Sequence, residues 1–410
     1  MDLARLPSAG VAWCMARLAI IVLALLSLPS AMPAQRPGAA TPARPAPPQV
    51  VPAVRSPEVH ADGRATVRLR APTAQTVLFA RDGAPPVEMQ RDSAGVWSHT
   101  TEALPPDIYT YTFRVDGVTI PDPQNPDLKP VFRVGLGQSL LHVPGPDSLS
   151  WEVRDVPRGS VTEHFYRSAL IGDHRNYYVY TPPGYDPRRD RPYPALYLLH
   201  GLTDDASAWV RGGRANVILD NLIADGRAEP MLVVMTLGYG APDVLEVMRG
   251  RQVDPVRWQV NVTRFTEALL QEVIPQVEQR YHTATARDQR AIAGLSMGGG
   301  QALYTGLNHL DRFAYIGAFS SATTMMGQDF GAVYPRVSDA ITDRLTLLWI
   351  GIGRDDFLHD DNVRFRDWLR ARNVEFEWVE TPGAHTWMIW RRYLTEFVPR
   401  LFRAAPTNGR

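Results

Sequence analysis

The chain has 410 residues, 45% of them hydrophobic and 21% charged, a composition that supports packed domains rather than disorder. Lys plus Arg and Asp plus Glu both number 43, so no net charge draws it to nucleic acid or to an anionic membrane. The single cysteine, Cys14, excludes an internal disulfide and a thiolate metal cluster.

In chain order, Arg5 and Arg17 precede an apolar run from Leu18 to Leu28 (LAIIVLALLSL). That run is short for a bilayer span and suits the core of a signal peptide. Residues 1–34 are read as a signal peptide, and the mature chain as secreted or periplasmic. Residues 35–57 are rich in Pro, Ala and Arg and read as an extended linker. From 58 to 145 the runs TVRLR, TVLFA, GVWSHT and IYTYTFRVDG alternate with period two between turn residues, which predicts a small β-sandwich. In the last run Tyr109, Tyr111 and Phe113 share one face. Trp97 and Tyr111 are read as core residues.

Residues 146–405 change character. PALYLLH, PMLVVMTLG, AIAGL, YIGAFS, TLLWIGIG and VEFEWVE are apolar runs of the kind buried on both faces of a parallel sheet. Helical stretches separate them, which predicts a doubly wound α/β domain. In 261–281, Phe265, Leu269, Val273, Val277 and Tyr281 recur every four residues, and Pro275 predicts a kink.

Gly294-Leu295-Ser296-Met297-Gly298 fits Gly-x-Ser-x-Gly at the end of the run AIAGL. A tight strand-to-helix turn there lifts the serine over the sheet edge, and glycines are needed where a Cβ would collide. A serine nucleophile needs a base, and His385 lies in the loop after the last predicted strand, in the order serine, acid, histidine. His359 comes too early in that order. The imidazole needs a carboxylate, and the loop after TLLWIGIG offers Asp355 and Asp356, with Asp356 preferred. The backbone N–H of Met297 and that of Leu202, in the His200-Gly201-Leu202 loop, are the candidate oxyanion donors. His200 is read as a brace for that loop.

Taken together, YVYTPPGYD (178–186), LYLLHGLTDDASAW (196–209), GLSMGG (294–299), GIGRDDF (351–357) and GAHTWMIWR (383–391) resemble the esterase-D-like α/β-hydrolases. That group includes feruloyl and acetyl-xylan esterases, enterochelin-type siderophore esterases, S-formylglutathione hydrolases and mycolyltransferases. The resemblance implies an α/β-hydrolase fold with Ser296 as nucleophile, His385 as base and Asp356 as acid, and it places Trp209 near the oxyanion loop. The region 60–143 is similar to the N-terminal immunoglobulin-like module of glycogen-branching enzymes.

The leading expectation is a secreted serine carboxylesterase acting on feruloyl or acetyl esters of xylan. Trp209, Tyr239, Trp258 and Trp387 are its candidate substrate-binding aromatics, and 239–258 is a candidate cap. The alternatives are a siderophore esterase and a glycan-binding protein on an inactive hydrolase fold. No cofactor is expected. His359-Asp360-Asp361 splay around a helix instead of converging on a metal. The expected partner is a small-molecule or polysaccharide-linked ester, without nucleic acid or stable membrane insertion. The sequence leaves a homodimer open. Asn261 begins a glycosylation sequon but is discounted because it lies on a helix face.

Overall fold

A computed structural model describes residues 54–403. The expected signal peptide, Cys14 and most of the expected linker lie outside the described residues. No helix among the described residues is long and apolar enough to cross a membrane.

Eight strands form the large sheet: β1 (Ser160–Arg167), β2 (His174–Thr181), β3 (Ala195–Leu199), β4 (Leu232–Thr236), β5 (Arg290–Leu295), β6 (Tyr315–Phe319), β7 (Leu347–Gly353) and β8 (Glu377–Thr381). Their order is β1-β2-β4-β3-β5-β6-β7-β8. β2 runs antiparallel to both β1 and β4, and every other pair is parallel. β3 to β6 are buried along their whole length, as their unbroken apolar runs require. β1 is an exposed edge strand, and its polar sequence SVTEHFYR carries no burial pattern.

Helices cover both faces of the sheet and give two separate apolar layers. One layer includes Trp209, Trp349, Trp390 and Phe397, and the other includes Phe265, Leu303, Ile316 and Phe365. The helices that position the site are α1 (Ala215–Ala224), α2 (Pro255–Ala268), α3 (Met297–Asn308), α4 (His359–Arg370) and α5 (Trp387–Phe397). The kink predicted at Pro275 takes a definite form. α2 passes into a π-helical turn over Leu269–Val273, and a last helix spans Ile274–Arg280. Pro275 has no N–H to give to an i−4 carbonyl, and a widened turn absorbs that loss.

Ahead of β1, two small sheets built from strands between Glu58 and Val143 enclose their own core, with Val67, Phe79, Trp97, Tyr111 and Phe113 at its centre. The strand Asp107–Val115 buries Tyr109, Tyr111 and Phe113 on one face. Ile108 and Thr110, on the other face, are also buried. α5 is the reason: Arg391, fully buried on that helix, bonds to Asp107, to the Ile108 carbonyl and to the Gly212 carbonyl. The small β region and the α/β region therefore share buried contacts, and all described residues belong to one compact unit.

Candidate active site

β5 ends at Leu295 and α3 begins at Met297, so Ser296 forms the whole turn between them. Its backbone has φ 52° and ψ −117°, a region that non-glycine residues rarely enter, at a cost of about 1–3 kcal/mol. The flanking glycines are sterically required. A Cβ on Gly294 would lie 2.4 Å from the Gly298 carbonyl oxygen, and one on Gly298 would lie 2.5 Å from that of His200. Ser296 occupies the N-cap position of α3, yet its side chain caps nothing. Its Oγ lies instead 2.9 Å from His385 Nε2.

His385 stands in the loop between β8 and α5, and Asp356 in the loop after β7. Two glycines let these loops touch: a Cβ on Gly353 would lie 2.1 Å from the Gly383 carbonyl oxygen, and Gly383 itself has φ 119°. The Asp355 N–H donates to the Gly383 carbonyl at 3.0 Å, and the Gly383 N–H points back at Asp355 Oδ2 at 3.4 Å. Asp355 thus clips the loops together, with its side chain exposed. Asp356 is buried, and both its oxygens lie within 3.0 Å of His385 Nδ1. Asp356 Oδ1 also accepts from the Leu358 N–H at 2.9 Å. With a carboxylate at Nδ1, that nitrogen carries the proton, which leaves Nε2 to accept from the serine. Trp390 meets the imidazole edge-on at 4.9 Å, and Phe357 lies across it at 4.5 Å. His359, the competing histidine, sits instead beside Asp360 and Glu380.

The loop after β3 forms the other wall. His200 is buried, accepts from the Gly238 N–H through Nε2 at 2.9 Å and donates from Nδ1 to the Gly201 carbonyl at 2.8 Å. Burial lowers its pKa, which keeps this bracing ring neutral. A Cβ on Gly201 would lie 2.7 Å from the Leu295 side-chain methyl, so glycine lets the loop pass close to the end of β5. Leu202 and Met297 both line the space at Ser296.

The small β region also grips this loop. Lys129, 2% exposed, pairs with Asp204. The Phe132 N–H donates to the Thr203 carbonyl at 2.8 Å, and Thr203 itself has φ 75°. The Phe132 ring stacks on Tyr239 at 4.9 Å, and the Tyr239 hydroxyl donates to the Asp204 carbonyl at 3.0 Å.

Two arms of one cleft meet at Ser296. The wider arm, about 580 Å³, is lined by Val253, Pro255, Trp258, Met325, Met326 and Phe357. Its size is typical of small-molecule sites. The narrower arm, about 190 Å³, is lined by Asp82, Thr110, Lys129, Gln138, Thr203 and Trp387, among others. A groove along Leu345–Leu348 and Val374–Trp378 lies at the opposite, N-terminal end of β7 and β8, away from the triad residues.

The structure places the expected aromatics differently from one another. Trp258 and Trp387 face the cleft. Trp209 and Tyr239, expected to bind substrate, do not: they are 1% and 0% exposed. Trp209 donates from its indole N–H to the Leu199 carbonyl at 2.9 Å and packs edge-on against Trp387. Trp209 thus braces the end of β3, and Tyr239 the loop that follows it. The expected cap, 239–258, is a 3₁₀ helix over Pro242–Arg249 anchored by buried Val244 and Leu245, followed by the start of α2. Asn261 is fully buried and accepts from the Ala241 N–H, so no glycan can reach it in the fold.

Sequence reasoning passed over Asp82, Lys129, Gln138, Met325, Met326 and Phe357. Phe357 follows the preferred acid directly and could have been found from that position. The β-region residues carry no local signal.

Comparison with known proteins gives esterases. Residues 168–401 match the family described as "Putative esterase". The chain is 28% identical over 356 residues to an endo-1,4-beta-xylanase/feruloyl esterase of Xylanibacter ruminicola, covering 85% of this chain and 46% of that protein. It therefore spans less than half of that relative's length. It is 23% identical over 230 residues to an acetyl esterase of Caldicellulosiruptor saccharolyticus, covering 48% of this chain and 79% of the other. Among solved structures, the enterobactin esterase of Shigella flexneri, determined in the presence of 2,3-di-hydroxy-N-benzoyl-serine, superposes with a TM-score of 0.60 at 20% identity. That match covers 82% of this chain and 92% of the other. A ferulic acid esterase of Anaeromyces mucronatus in complex with ferulic acid superposes at 0.54 with 24% identity, covering 63% and 96%. These structures share the α/β-hydrolase fold, and with more than half of its length matched to the family, the chain belongs to the esterases described as "Putative esterase".

Proposed function

We propose that the chain is an exported serine carboxylic-ester hydrolase that releases feruloyl or acetyl groups from xylan. The observation that carries this reading is the continuous chain from Ser296 Oγ through the His385 ring to Asp356, with links of 2.9 to 3.0 Å. Ser296 attacks the ester carbon while its proton passes to His385 Nε2. Asp356 holds the ring and stabilises the imidazolium. The N–H groups of Leu202 and Met297 stabilise the oxyanion; a single such donor contributes about 3–4 kcal/mol in a serine hydrolase. The imidazolium then protonates the leaving alcohol. Water, deprotonated by His385, releases the acyl group.

The wide apolar arm supports an aryl acyl group, and the name of the Xylanibacter relative supports the polysaccharide substrate. The β region would be an immunoglobulin-like module that accompanies the hydrolase domain. The test is an ester panel on the full chain: methyl ferulate, an acetylated xylan and a catecholate trilactone, each with wild type and Ser296→Ala. Turnover of the first two, with labelling of Ser296 by a fluorophosphonate, is the expected result. Preferred turnover of the trilactone would move the assignment to siderophores. Undiminished turnover by Ser296→Ala would falsify the mechanism.

A further inference from the structure

The two arms that meet at Ser296 differ in chemistry, and an ester has two halves to place. An acyl group bound to Ser296 fits the apolar arm with Trp258, Met325 and Met326. The departing alcohol is left with the polar arm. Its outer wall belongs to the small β region: Asp82 follows the strand Val77–Arg81, Thr110 lies within Asp107–Val115, and Gln138 opens the strand Gln138–Val143.

The charges in this arm are not equally available. Lys129 is committed to Asp204 and is buried. Asp82 Oδ2 accepts from the Thr110 N–H at 3.1 Å. No cation pairs with Asp82 among the described residues, and a carboxylate can accept about four hydrogen bonds. Burial raises its pKa, while the more distant Lys129 and Arg391 charges pull it down. Asp82 lines the narrow arm with acceptor capacity to spare, together with the Gln138 carboxamide and Thr203. Such a wall suits neutral hydroxyl donors and repels carboxylates.

We infer that the narrow arm is the subsite for a polyhydroxylated alcohol, a glycosyl unit carrying the ester, and that Asp82 on the β region selects it. This inference rests on the esterase reading above. A site built to bind hydroxyls discriminates strongly against an alcohol that lacks them, because its polar groups are then left unpaired. The β region would thus be part of the substrate site, with no need to act as a separate sugar-binding module.

The experiment compares kcat/KM for methyl ferulate with that for a feruloyl ester of arabinose, using the full chain. Wild type should favour the sugar ester by about tenfold or more, since a hydrogen bond to a charged group carries roughly that discrimination. Asp82→Asn keeps an oxygen for the Thr110 N–H but turns a donor towards the cleft. It should lower kcat/KM for the sugar ester about tenfold more than for methyl ferulate, mainly through KM. Gln138→Ala, a milder change, should shift the same ratio in the same direction. Free methyl arabinoside should inhibit wild type competitively, and Asp82→Asn more weakly. Equal losses on both esters, or wild type with no preference, would overturn the subsite while leaving the esterase reading intact. Failure of wild type to hydrolyse either ester would overturn both.

Discussion

On one side of Ser296 the loop 201–204 is fixed by His200 beneath it, by Tyr239 and by the Lys129–Asp204 pair. On the other side Trp258, Met325 and Phe357 meet across open space, and Phe357 is 76% exposed. On the proposed mechanism the first wall holds N–H groups within tenths of an ångström of where an oxyanion forms, and bonds from several elements secure it. The second wall needs only shape and apolarity, and methionine side chains adapt to irregular ligands. Under the proposed function the contrast separates chemistry, which is rigidly held, from acyl recognition, which is soft. Substitutions on the rigid side should change kcat, and those on the soft side KM.

The largest effect tests the rigid side at its centre. Ser296→Ala should lower kcat on methyl ferulate on the order of 10⁶-fold, the loss seen when a triad nucleophile is removed. Ser296→Gly should lose as much activity yet melt at a higher temperature. Its backbone relaxes about 1–3 kcal/mol of strain, offset in part by the roughly 0.5–1 kcal/mol entropy cost of glycine. A Gly variant that melts below the Ala variant would show that φ 52° carries no strain.

Next in size is the acid. Asp356→Asn should cost about 10⁴-fold in kcat, because the amide favours the wrong tautomer of His385. Asp355→Asn should cost less than tenfold, since its side chain reaches only the Gly383 N–H, at 3.4 Å. The reverse pattern would move the acid to Asp355.

These core residues were legible because short-range geometry dictates them. Gly294 and Gly298 are needed by the turn that raises Ser296, so the motif carries its own structure. The buried strands β3 to β6 announced themselves as unbroken apolar runs. β1 did not, because an antiparallel edge leaves polar side chains in water; β2 is mostly buried, but Arg175, Asn176 and the tyrosine hydroxyls break its apolar run. The β-region wall was illegible for a different reason. Lys129 and Asp82 line the narrow arm beside Ser296 in a fold where α5 docks on the strand Asp107–Val115, and no local pattern records that docking. Trp209 and Tyr239 show the opposite error. Aromatics beside a catalytic loop look like platforms in sequence, but depth in the fold makes them supports.

Lys129→Met probes the brace itself. It leaves Asp204 buried without its cation, which should destabilise the protein by about 3–5 kcal/mol. It should also lower kcat, by up to the roughly 10²–10³-fold that one lost oxyanion donor costs. A Lys129→Met/Asp204→Leu double variant separates the two effects: an apolar pair should restore the melting temperature without restoring kcat. Recovery of both would mean that the pair serves stability alone.

The smallest effect belongs to the soft wall and is the most direct test of the contrast. Trp258 is half-buried on α2 and presents its ring to the wide arm. Burying an aromatic acyl group against such a ring contributes on the order of 1.5 kcal/mol, about tenfold in affinity. Trp258→Ala should therefore raise KM for methyl ferulate about tenfold and leave its kcat within a fewfold. An acetyl ester is too small to span the arm and should register a smaller change in KM. The bonds and ring contacts of Ser296 and His385 run to each other, to Asp356, to Phe357 and to Trp390 and not to the indole, so an equal fall in kcat on both esters would mean that the apolar wall also sets the catalytic geometry. The division between a rigid and a soft side would then fail.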